Sequence, residues 1–267
     1  MQILIVGGGN MGKTYADSFL SNHAISPENL YILERSANKA SYFQSLGFKN
    51  VFYQADKYIE NLSLIILAVK PQDALGLFEQ IRPFIHKNHL LLSVMAGLKM
   101  QTLEESLNPI KKIIRAMPNL PAQIGMGMTG FTSTEAVSKE ELLWVHNLLN
   151  TTGKSLYFEN EEQLDAVTAI SGSGPAYVYY FMEAMTEAAR EMGFTQSQAE
   201  LLVEQTFLGA VHLVKKSNYS CSEWIEKVAS KGGTTEAAIR TFDALNVDKH
   251  IRLGLQEALQ RAIELGK

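Results

Sequence analysis

Four apolar residues, Ile3-Leu4-Ile5-Val6, run straight into Gly7-Gly8-Gly9-Asn10-Met11-Gly12, and a helix-like stretch over 11–21 follows. A strand that delivers the chain into G-x-G-x-x-G at the start of a helix constrains the fold more than any bulk property. Gly7 can make the tight turn after the strand. Gly9 has no side chain to hold a pyrophosphate away from the backbone, and Gly12 lets the helix pack closely on the sheet. The helix start adds unpaired N–H groups and a positive dipole end. Gly7, Gly9, Asn10, Met11 and Gly12 are therefore read as a dinucleotide cradle. The alternative, a glycine-rich turn without a ligand, is disfavoured by the strand before it and the helix after it.

The first half of the chain repeats this strand-then-helix rhythm. Continuously apolar runs at Ile3–Val6, Leu30–Leu33, Leu64–Ala68, Leu90–Val94 and Ile113–Ala116 suit parallel strands covered on both faces. Helical stretches around 11–21, 37–46 and 101–107 lie between them. Met126–Thr132, a helix over 135–150 and Lys154–Phe158 add a further strand–helix–strand. From about residue 160 the strand signal stops. Segments 161–168, 175–192, 195–216, 220–228 and 234–264 carry the three- and four-residue apolar spacing of helices. The pattern predicts an α/β, Rossmann-type, doubly wound and mostly parallel sheet of about eight strands over 1–159, then an all-helical domain over 160–267.

With 24 Lys+Arg against 28 Asp+Glu, the net charge of −4 gives no footprint for nucleic acid. The single cysteine, Cys221, excludes an internal disulfide and a cysteine metal cluster, and a reducing compartment fits. No apolar run approaches a membrane span or a signal peptide, so a cytoplasmic location is expected. The six histidines do not stand at metal-ligand spacing, and no Ser-His-Asp set, HExxH or CxxC is evident, so no metal is expected.

In open α/β sheets ligands sit beyond the carboxyl ends of the strands. The second strand ends Leu33-Glu34-Arg35-Ser36. Glu34 could accept the adenosine ribose 2′-hydroxyl and favour NAD, whereas Arg35 with Ser36 could hold a 2′-phosphate and favour NADP. The two signals conflict, and Glu34 and Arg35 could also pair with each other or cap the next helix. The balance leans to NADP, with NAD still open. The next strand ends give Ala68-Val69-Lys70-Pro71, then Ala96-Gly97, where small residues would admit a cofactor ring, then Met117-Pro118-Asn119-Leu120-Pro121. Standing alone, Lys70 could equally be a solvated surface lysine.

These strings, joined by Ser171-Gly172-Ser173-Gly174-Pro175-Ala176-Tyr177 and Ser230-Lys231-Gly232-Gly233-Thr234-Thr235, resemble the pyrroline-5-carboxylate reductase family in order from Gly7 to Thr235. The chain departs from the family pattern at Leu120, where threonine is usual, at Lys231, where proline is usual, and at Glu34, where asparagine or a small polar residue is common. The resemblance implies NAD(P)H-dependent hydride transfer to the C=N carbon of 1-pyrroline-5-carboxylate, giving L-proline, the last step of proline biosynthesis. It assigns Ala68, Val69, Lys70, Pro71, Ala96, Gly97 and Asn119 to the cofactor side. It places Ser230, Gly232, Gly233, Thr234 and Thr235 around the substrate, with Thr235 the substrate-orienting residue.

The chemistry agrees with what the residues offer. A protonated imine is already electrophilic, so the site needs placement, dryness and a carboxylate holder rather than a nucleophile. A glycine-rich turn into a helix start is a natural anion site, although Thr234 or Thr235 could simply cap that helix. Glu161 or Glu162 is the candidate partner for the cationic nitrogen, against the alternative of a solvated acidic helix start. A β-hydroxyacid dehydrogenase would resemble this layout but would carry a lysine and an asparagine near Val178 and Phe181. A cofactor-sensing protein without turnover is the other rival. Ala176–Ala188 and Leu201–Val214 are apolar over much of their circumference, which predicts a homodimer or an assembly of dimers, as the family implies.

Overall fold

The structure, a computed structural model, describes residues 1–266. The chain forms two compact units. The first comprises Met1–Pro175 and the chain from Ala258 onward; the second is Ala176–Glu257. The sequence boundary near Glu159 falls sixteen residues before the structural one at Pro175 (175 − 159), and the last helix runs from the second unit into the first.

The first unit holds one eight-stranded sheet: β1 (Ile3–Val6), β2 (Leu30–Leu33), β3 (Asn50–Phe52), β4 (Leu64–Leu67), β5 (Leu90–Ser93), β6 (Lys112–Met117), β7 (Gly127–Ser133) and β8 (Gly153–Tyr157). The order across the sheet is β3-β2-β1-β4-β5-β6-β7-β8, with only the β6–β7 pair antiparallel. The apolar strands are continuous because neither face meets water. Ile3 and Ile5 pack into one cluster with Tyr15, Phe19 and Phe43, while Leu4 and Val6 pack into another with Phe78, Ile81 and Leu103. Each fully buried side chain of this size contributes about 1.5–3 kcal/mol.

The helices of this unit are α1 (Asn10–Ser21), α2 (Ala37–Ser45), α3 (Ala74–Ile81), α4 (Met100–Ser106), α5 (Lys139–Asn150) and α6 (Gln163–Val167). A π-helical turn, Thr168–Gly172, extends α6 into the serine-glycine string. Sequence patterning passed over β3 and α3. The first is three residues long, too short for a period, and the second is eight residues closed between Pro71 and Pro83.

The remaining helices are α7 (Gly174–Glu191), α8 (Gln196–Lys216), α9 (Cys221–Val228), α10 (Thr234–Ala244) and α11 (Val247–Leu265). The single helix expected over 234–264 is two helices. Asn246 adopts φ +54 between them, a left-handed conformation that an α-helix cannot carry. No helix among the described residues is long and apolar enough to cross a membrane.

Candidate functional site

The sheet order reverses direction between β1 and β4, which is where an open α/β sheet leaves a crevice at its carboxyl edge. Both flanking loops are built there from the expected residues. Gly7 turns the chain at φ +92 and donates its N–H to the Leu33 carbonyl at 2.9 Å. A Cβ at Gly7 would lie 2.6 Å from the Val69 side chain and 3.0 Å from the Ala68 carbonyl oxygen, so the β1 and β4 loops touch.

The other glycines of the loop have different reasons to be glycine. A Cβ on Gly12 would meet the Gly7 carbonyl oxygen at 1.9 Å, so α1 could not close on the turn. On Gly8 it would strike Glu34 Oε1 at 2.1 Å and the Phe43 ring at 2.3 Å. On Gly9 it would meet nothing within 4 Å. Packing therefore does not explain Gly9. It is the N-cap of α1 with no side-chain cap, and Asn10 and Met11 open the helix beside it. An open glycine face against an uncapped helix start fits a bound pyrophosphate.

At the end of β2, Glu34 is buried and accepts the Gly8 N–H at 2.5 Å. Arg35 is exposed, and Ser36 is the N-cap of α2, its hydroxyl accepting from Lys39 N–H at 3.5 Å. Lys70 is exposed at the end of β4, with Pro71 opening a short turn behind it.

Other expected site residues make contacts within the protein. Gly97 and Ala96 follow β5, but the Gly97 face is closed by the chain end: a Cβ there would lie 2.7 Å from the Leu265 carbonyl oxygen. That glycine is required by its φ of +77 and by the approach of α11. Asn119 uses both ends of its amide. Its Nδ2 donates to the Ser171 carbonyl and hydroxyl, each at 3.2 Å, and its Oδ1 accepts from Met128 N–H at 2.9 Å. It fastens the π-helical turn to the strand ends. Glu161 accepts from Arg115 at 2.9 Å and from Met100 N–H at 2.8 Å, and Arg115 also reaches Asp165 at 3.3 Å. A carboxylate so engaged clamps the start of α4 to β6. Glu162, the other candidate, is the residue before α6 and makes no side-chain cap bond.

In the second unit, Gly233 is the N-cap of α10, again without a side-chain cap. Thr234 and Thr235 are therefore the first and second helical residues, and neither hydroxyl caps the helix. Gly233 N–H donates to the Ser230 carbonyl at 2.9 Å, and Gly232 N–H donates to Glu236 at 2.5 Å. Residues 230–235 thus form a tight glycine turn ending in a helix start whose threonine hydroxyls are not spent on it.

Comparison with known proteins decides the family. Residues 161–265 match the family model described as pyrroline-5-carboxylate reductase dimerisation, and residues 2–97 match NADP oxidoreductase, coenzyme F420-dependent. Pyrroline-5-carboxylate reductase 2 of Bacillus subtilis (strain 168) is 35% identical over 99% of this chain and 95% of its own length. The chain belongs to the pyrroline-5-carboxylate reductase family. Among solved structures, a pyrroline-5-carboxylate reductase from Coxiella burnetii superposes with a TM-score of 0.91 at 32% identity, covering 100% of this chain and 98% of that one. Pyrroline carboxylate reductase of Plasmodium falciparum, solved with NADP bound, gives 0.88 at 27% identity, again over 100% and 98%.

Within this reductase family the sequence reading missed four residues that hold the strand-end loops: Gly8, Phe43, Arg115 and Asp165. Arg115 carried the only available signal. A basic residue inside the apolar run Ile113–Met117 must be paired if that run is buried, and it is 3% exposed.

Proposed function

We propose that this protein reduces 1-pyrroline-5-carboxylate to L-proline with NADPH, in the cytoplasm, as a homodimer or an assembly of dimers. The observation that carries the reading is the open face of Gly9 against an uncapped α1, in a chain matched to reductases over its whole length. When bound, the reduced nicotinamide supplies the hydride for the C=N carbon. The protein's own part is placement. Gly7, Gly9, Asn10, Met11 and Gly12 present backbone to the pyrophosphate. Arg35 and Ser36, exposed or half-buried at the start of α2, favour a 2′-phosphate. NADH remains a weaker alternative.

The start of α10 holds the substrate carboxylate with its free N–H groups, and the Thr235 hydroxyl adds one directed hydrogen bond. Burial supports the dimer. In Ala176–Glu257 only Thr186, Ala199 and Val203 are buried, while Tyr180, Leu201 and Leu245 are each more than 60% exposed. Helices with so little core need a second copy to cover them.

The test is NADPH oxidation by the purified full-length protein with and without pyrroline-5-carboxylate, beside light scattering at micromolar concentration. Substrate-dependent oxidation by a dimer or larger assembly is expected. Nucleotide binding without turnover would support the sensing alternative, and an active monomer would refute the dimer.

A further inference from the structure

Glu34 is the family departure that sits closest to the phosphate loop. A carboxylate at the end of the second strand ordinarily reads the ribose of the cofactor. Its surroundings here do not allow that. Glu34 is 3% exposed. Its Oε1 accepts the Gly8 N–H at 2.5 Å, and its Oε2 faces the Arg35 N–H at 3.4 Å. Its own N–H donates to the Phe52 carbonyl at 2.8 Å, so its main chain is fixed to the β3 side of the sheet. The Phe43 ring lies beside this contact, because the space that a Gly8 Cβ would need is taken jointly by Glu34 Oε1 and that ring. A side chain packed on one side and bonded to the loop on the other has no surface left for a ribose hydroxyl. Arg35, one residue on, is exposed and forms no ion pair among the described residues.

We propose that Glu34 is a positioning residue that clasps the phosphate loop through Gly8 and does not read the 2′ position of the nucleotide, which falls to Arg35. A hydrogen bond to a carboxylate is about twice as strong as a neutral one, and Gly8 lies just ahead of the positive end of the α1 dipole. The clasp therefore orders the cradle before any nucleotide arrives. This rests on reading the β1–α1 turn as a nucleotide site, so the test separates the two claims.

Glu34→Gln keeps an acceptor oxygen and removes the charge. Calorimetry with 5′-AMP and with 2′,5′-ADP reads the 2′ position without catalysis, and a melt of the ligand-free protein reads the clasp. The expected result is a melting temperature lowered by several degrees, both fragments weakened together, and a ratio of their affinities kept within about threefold. Arg35→Ala should lower that ratio by about tenfold with the melt unchanged. A rise in the ratio of about tenfold or more in Glu34→Gln would make the carboxylate a reader and overturn the proposal. An unchanged melt in Glu34→Ala, which removes the acceptor altogether, would overturn it as well. Failure of the wild type to bind either fragment would sink the nucleotide reading itself.

Discussion

Two glycine-rich turns lead into helices in this protein, and each hands a glycine N–H to a glutamate at 2.5 Å. The resemblance ends there. Gly8 is held by Glu34, twenty-six residues away, from a neighbouring strand and under cover. Gly232 is held by Glu236, from the first turn of its own helix, with a side chain 34% exposed and shared with Arg240 at 3.1 Å. The first turn is positioned by tertiary structure and the second by local structure. The contrast extends to the units that carry them: the first encloses a sheet between two apolar clusters, and the second buries three side chains. A loop fixed by a sheet is ready within one chain, whereas a loop fixed only by its own helix still needs surroundings.

The contrast can be broken most sharply at the first turn. Gly12→Ala should lose both stability and nucleotide affinity, because its Cβ overlaps the Gly7 carbonyl oxygen and the backbone has to move. Gly9→Ala should melt like the wild type and lose about tenfold or more in nucleotide affinity. Paired melts and calorimetry decide it, and equal behaviour of the two variants would show that the loop is not held as described.

Arg115→Ala tests the tertiary hold one layer deeper. It leaves Glu161 and Asp165 as neighbouring carboxylates without their cation, which costs about 3–5 kcal/mol. Denaturant unfolding should move by that amount, and a shift below about 1 kcal/mol would show the clamp to be dispensable.

At the second turn, Thr235→Ala should lose about tenfold to a hundredfold in kcat/KM, equivalent to about 1.5–3 kcal/mol for a hydrogen bond to a charged group. Since the hydroxyl caps nothing in α10, the melt should stay put, and Thr235→Ser should keep most of the activity. A destabilised but fully active alanine variant would point to the wrong residue.

Acid should act on the first unit. His89 is fully buried, with Nδ1 accepting from His86 N–H at 3.1 Å and Nε2 donating to the Ile59 carbonyl at 3.1 Å. Burial, and then the neighbouring His86, push its pKa down from 6.5 to about 4. The folded state therefore binds the proton more weakly than the unfolded chain. The stability from the neutral ring is present above pH 6.5 and is lost as pH falls toward 4, at about 1.4 kcal/mol per unit. Melts at pH 7 and 5.5 should show a steeper loss in wild type than in His89→Gln.

The smallest effect belongs to the local hold. Glu236→Ala should cost only about 0.5–1 kcal/mol, because the bond it removes is solvent-facing. A loss as large as that in Arg115→Ala would mean that the second turn is tied to more than its own helix.

The sequence by itself determined the mostly parallel sheet and the two glycine turns. Those features are written in local alphabets: continuous apolar runs for strands buried on both faces, and glycines at fixed spacing before a helix. It also carried the family strings from Gly7 to Thr235. It could not tell that Gly8 and Gly97 are hemmed in by Glu34, Phe43 and Leu265, because those neighbours are distant in sequence. Nor could it say that Asn119 and Glu161 spend their polar groups on Ser171 and Arg115, partners 52 and 46 residues away. A side chain's type limits what it can bond, but only the folded chain brings the partner within hydrogen-bond reach.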